Sequence, residues 1–107
     1  MSETTIPAPG PDRDRLLFGL LFPELVGREA CRPRYSTNDH DALAVLEEME
    51  NQGYTWNIFS DGPKKKGCNI FGDSANEDIG PLLADVVAPT IADAISAAAC
   101  IALREGV

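Results

Sequence analysis

The sequence predicts an α+β fold in a single domain: a small antiparallel sheet, formed by a hairpin and a third strand, layered between helices. Three observations carry this. Apolar residues recur at spacings of three and four from Ala42 to Met49 and again from Ile91 to Ala102, the period of a helix with one buried face. They alternate in "YTWNIF" and "CNIF", the period of a strand. The 107 residues give room for one modest core that forms without metal or disulfide.

In chain order, Pro7, Pro9 and Pro11 block a helix and few neighbours can pack, so residues 1–11 read as a flexible arm and residues 12–107 as the domain. Asp12 or Asp14 can then accept hydrogen bonds from free amides. Leu16 to Phe22 are helix formers up to Pro23, so a short helix is expected, with Glu24 as a point where it could resume. Its apolar residues point nearly all round. Burial in the core is the favoured reading, and sharing with a second copy of the chain is the alternative.

The stretch "PRYSTNDHDALAVLEEM" carries the start signals of the next helix: Ser36 or Thr37 at the cap, then Asn38, Asp39 and Asp41 in the first turn. Leu43, Leu46 and Met49, with Ala42 and Val45 beside them, form the apolar face, while Glu47, Glu48 and Glu50 stay in water. Gly53 closes the helix. Ser36, His40 and Asp41 are also the residue set of a nucleophile, a base and an orienting acid. A capping serine turns its hydroxyl to backbone amides, and Asp41 lies about 100° round the helix from His40. A triad is defined by geometry and not by proximity in sequence, so the helix start is the reading kept.

"YTWNIF" and "CNIF" enclose "SDGPKKKG", rich in turn residues, and form a hairpin with a long loop. Phe59 and Phe71 share a face with Thr55 and two Asn residues, which suggests cover on both sides of the sheet. "GDSANEDIG" is a polar link. "PLLADVVA", Pro81 to Ala88, can be a third strand, with Val86 and Val87 favouring extended backbone, or a helical turn, and is read as a strand because a new element opens directly after it at Pro89. Pro89 and Thr90 then open a helix rich in Ala with Ile91, Ile95, Ala98 and Ala102 on one stripe, Arg104 at its negative end and Gly106 as its stop. Small side chains on this helix suit close packing and not a site.

"RYSTNDHDALAVLEEM" resembles the Tyr-Ser-Thr start of the central helix in small phage proteins of the ABA-sandwich domain family. "APTIADAISAAACIAL" is similar to that family's Pro-rich turn into a closing helix with Ala and Cys. The resemblance runs from about Leu16 to Leu103. It implies a sheet layered between helices, carriage by a phage or prophage, and no established activity or cofactor. It transfers no functional residues.

Charge bears on function. Nine Lys+Arg against 17 Asp+Glu leave a net charge of -8, a field that repels phosphate backbones and anionic lipid and attracts a basic groove on another protein. No direct nucleic-acid or membrane contact is expected. The densest apolar run, Leu16 to Phe22, is far short of the about 20 residues that span a bilayer. Cys31, Cys68 and Cys100 are widely spaced and odd in number, and the start lacks the basic and apolar runs of an export signal, so a reducing cytoplasm is the expected setting, which the phage resemblance implies to be that of a bacterial host. With one histidine and no close cysteine pair, no metal or other cofactor is expected.

These readings lead to a non-enzymatic binding protein, an acidic inhibitor of a host defence complex with a basic surface, whose contacts would be Asp39, Asp41, Glu47 and Glu48. A second class is an oligomeric sponge for a nucleotide signal, with Lys64, Lys65 and Lys66 at the phosphates and Trp56 or Tyr54 against the base. A third is a phage assembly factor that buries Leu16 to Phe22 against a partner.

Overall fold

The computed structural model describes residues 6–23, 33–72 and 81–105. Among the described residues there are three helices and one antiparallel sheet, an α+β fold, in the order α1 (Pro11–Leu21), α2 (Asp39–Asn51), β1 (Thr55–Ser60), β2 (Lys66–Phe71), β3 (Leu82–Ala88) and α3 (Ile91–Glu105).

Pro11 opens α1, because a proline at the first helical position loses no hydrogen bond; Asp12 and Asp14, expected to cap the helix, lie instead within its first turn, and Gly10 stands at the cap position without a side-chain bond. Residues 6–10 were expected in the arm, yet they are tied to the domain. Ile6 packs against the core, the Pro7 carbonyl accepts from Arg13 Nε at 2.8 Å, and the Gly10 N–H donates to Ser36 Oγ at 2.8 Å. The point where this helix could resume, Glu24, lies outside the described residues, as do Cys31 and Gly106.

The cap of α2 is Asn38, not Ser36 or Thr37. Its side chain accepts from the Asp41 N–H at 3.0 Å, while Ser36 is drawn into the interior by Gly10 and Asp14. Ala42, Val45, Leu46 and Met49 form the buried face; Leu43, expected with them, is 43% exposed because it stands about 100° round from Ala42. The helix ends in a Schellman arrangement, with Tyr54 N–H donating to the Met49 carbonyl at 3.0 Å and Gly53 N–H to that of Glu50 at 3.1 Å. Gly53 takes φ of 105°, where a side chain would be strained.

β1 and β2 form the expected hairpin, in register from Thr55 opposite Phe71 to Ser60 opposite Lys66. Residues 82–88 are a strand, which pairs with β2 to complete the order β1-β2-β3. One face carries Trp56, Ile58, Cys68, Ile70, Ala84 and Val86, in register across the strands. α3 crosses β2 and β3 on this side, α2 packs on α3 and β1, and α1 packs on α3 and α2. Among the described residues the layering is thus helices on one face of the sheet. The opposite face bears a polar row in which Asn57 Nδ2 donates to Asn69 Oδ1 at 3.4 Å and Asn69 Nδ2 to Asp85 Oδ1 at 2.8 Å. Phe59 and Val87 stand exposed beside that row.

α3 is the spine of the core. Thr90 caps it by accepting from the Asp93 N–H at 3.0 Å. Ile95, Ala98 and Ala102 of the expected stripe are buried, and so are Ala92, Ala94, Ala99, Cys100 and Leu103 round the rest of the helix. The alanines allow sheet and helices to approach it from several sides.

Candidate functional site

The outer side of α2 is the strongest candidate, and its chemistry begins with composition. The helix carries Asp39, Asp41, Glu47, Glu48 and Glu50 and no Lys or Arg. The fold divides these acids by task. Asp39 Oδ1 accepts from the Ala92 N–H at 3.1 Å and so holds the start of α3. Asp41 is half-buried, and its Oδ2 accepts from the Arg34 N–H at 2.9 Å. Two of the four residues expected to meet a partner therefore have local structural work.

Glu47 is exposed, and Glu48 is half-buried with its Oε2 accepting from Gln52 Nε2 at 3.0 Å. His40, Leu43, Ala44, Glu47 and Glu50 are all exposed and follow one another at helical spacing. The result is a second stripe on α2, apolar at Leu43 and acidic at its C-terminal end. Sequence reasoning treated Leu43 as core; the α2 pattern held one apolar residue more than its buried face uses.

Where α2 meets β1, Glu50, Thr55 and Trp56 line a cleft of about 280 Å³. Trp56 is half-buried at the sheet edge, and its indole N–H donates to Glu50 Oε1 at 3.2 Å. Sequence reasoning placed Glu50 in water and gave Trp56 to one face of a strand, with a base as its contact only in the sponge reading; their pairing was not foreseen. The signal was present in the short path from the helix end, through Gly53, to the strand.

The hairpin tip separates the three lysines. Lys64 and Lys65 line a concavity of about 410 Å³ with Asp61, Gly62 and Pro63. Lys66 belongs to β2 and its Nζ donates to Ser60 Oγ at 2.8 Å. Two lysines share the tip with one carboxylate.

Other candidates are inert by position. Ser36 is buried, with Oγ donating to Asp14 Oδ1 at 2.6 Å, whereas His40 is exposed, so Ser36, His40 and Asp41 are not assembled as a triad. Cys68 and Cys100 are fully buried, and burial pushes their thiols up to about 12 and about 11, far from the thiolate a nucleophile needs. Burial, reinforced by the negative Asp41, Asp14 and Glu48, pushes the Tyr35 phenol up to about 12. Among the described residues no three His, Cys, Asp or Glu side chains are grouped to hold a metal ion, and no helix is long and apolar enough to cross a membrane.

Comparison with known protein families finds no matching family model. No curated protein matches the chain. No solved structure matches it either.

Proposed function

We propose that this chain is a non-enzymatic binding protein that docks the outer stripe of α2 on a basic surface of another protein. The observation that carries the reading is Leu43, 43% exposed on a helix that has five acids and no Lys or Arg. An exposed apolar residue set in like charge suits a complementary basic surface with an apolar centre, where charge steers the encounter and the apolar contact holds it. In the phage setting that the sequence resemblance implies, the partner is a host complex, and occupation of its basic groove blocks it.

The hairpin tip is a poorer seat for a nucleotide phosphate, since Lys66 is turned to Ser60 and Asp61 faces the same concavity as Lys64 and Lys65.

The test uses tagged protein recovered from its bacterial host at low and high salt, with Leu43→Ala and Glu47→Lys beside the wild type. These positions are chosen because Asp39 also holds the start of α3 and Asp41 the turn at Arg34. A stoichiometric partner should be lost at high salt and lost or weakened about tenfold by either substitution, with circular dichroism unchanged. Binding that survives salt and both substitutions overturns the reading.

A further inference from the structure

We propose that the cleft formed by Glu50, Thr55 and Trp56 receives an arginine side chain of the protein partner, with Glu50 as the carboxylate that pairs with it and Trp56 as the wall it stacks on. This rests on α2 as the docking helix and names the chemistry of its anchor. Three independent features converge there.

The first is electrostatic. Backbone carbonyls at the end of a helix carry partial negative charge, and basic side chains are the usual complement. α2 has no basic residue in its last turn and instead carries Glu48 and Glu50 there. A helix that breaks this local rule stores unfavourable charge that an incoming cation relieves.

The second is hydrogen-bonding capacity. A carboxylate offers about four lone-pair sites, and the indole N–H of Trp56 occupies one of them on Oε1 at 3.2 Å. That bond also holds Glu50 at the edge of the indole, so part of its side-chain entropy is lost before binding. A guanidinium can then donate to the remaining sites in a forked arrangement that an ammonium cannot match.

The third is shape. The cleft, about 280 Å³, has Trp56 in its lining beside the acid. A flat cation that stacks on an indole while it pairs with a carboxylate gains from both, and arginine does this better than lysine.

Trp56 is the sole tryptophan of the chain, so its emission reports the cleft directly. The full chain is titrated at low ionic strength with an end-capped Gly-Arg-Arg-Gly peptide, with its lysine counterpart, and with its citrulline counterpart, which keeps the shape and loses the charge. A saturable change in emission is expected with the arginine peptide, at least about threefold weaker affinity with lysine, and none with citrulline. Glu50→Gln, which keeps the size of the side chain, should weaken arginine binding about tenfold, the scale of one charge-assisted hydrogen bond, at unchanged melting temperature. Glu47→Gln should leave it within about twofold, since that residue is outside the cleft. No saturable change, equal response to citrulline, or full affinity in Glu50→Gln overturns the proposal. In the recovery experiment, a partner lost with Leu43→Ala and Glu47→Lys but retained by Glu50→Gln overturns the arginine cleft and leaves the docking helix standing.

Discussion

Arg13 and Asp14 are neighbours on α1, both buried, and each is satisfied by a different part of the chain. Arg13 Nη1 lies 2.7 Å from Asp93 Oδ1 and 3.1 Å from Ser96 Oγ on α3, and its Nε donates to the Pro7 carbonyl. Asp14 accepts from the Ser36 N–H at 2.8 Å and from its hydroxyl at 2.6 Å. Charges removed from water cost several kcal/mol each, and pairing offsets that cost only while both partners are present. Arg13→Ala should therefore destabilise the fold by about 3 kcal/mol, while Arg13→Met, which keeps the apolar stem, should cost less. Urea unfolding of both variants checks this; Arg13→Ala within about 0.5 kcal/mol of wild type would show that the pair contributes nothing net.

Within the sheet, the pairing of Phe59 with Gly67 shows how an element is tuned on its open side. Gly67 is buried although it lies on the exposed face, because the Phe59 ring from β1 rests over it where a Cβ would otherwise stand. An aromatic across from a strand glycine covers backbone that would be left bare. In Gly67→Ala the ring must swing away, which should cost about 1 kcal/mol in the wild type and less than half of that in a Phe59→Ala background. A double-mutant cycle by chemical unfolding measures the difference. Equal costs in the two backgrounds would mean that the ring does not stabilise the hairpin through this glycine.

Across the molecule, three buried groups link stability to alkaline pH. In the folded chain Cys68 is raised from 9.0 to about 12, Cys100 from 9.0 to about 11 and Tyr35 from 10.0 to about 12, in each case chiefly by burial. The unfolded chain gives up these protons first as pH rises, so above pH 9 it binds fewer protons than the folded chain and stability must fall. Below pH 9 their contribution is present in full; it is lost progressively between pH 9 and 12. Unfolding free energy measured in steps from pH 7 should therefore be level with respect to these groups and then decline above about 9. Cys68→Ala should decline less steeply, whatever its absolute stability. A slope identical to wild type would place the alkaline sensitivity elsewhere.

Periodicity sufficed for the helices and for the two strands of the hairpin, because apolar spacing of two or of three and four reports which side of a segment is buried. The third strand rested instead on the preference of Val86 and Val87 for extended backbone and on the element that opens after it at Pro89, with a helical turn open beside it. Thr90 was legible as a cap and Gly53 as a stop for the same local reason: their roles depend on residues within one turn. The cap of α2 was harder, since Ser36, Thr37 and Asn38 are each able to serve and only the distant Gly10 and Asp14 decide that Ser36 goes inside. Leu43 satisfies the helical pattern and is nonetheless exposed, because the width of a buried face is set by what packs against it. The acids of α2 were visible as a group, but Asp39 became a cap for α3 and Glu50 a partner for Trp56 only through contacts that bring separate elements together. Local spacing determined the elements and their charge; tertiary packing decided which of those charges are bound within the fold and which are left exposed, since a hydrogen bond between segments depends on distance in space and leaves no period in the chain.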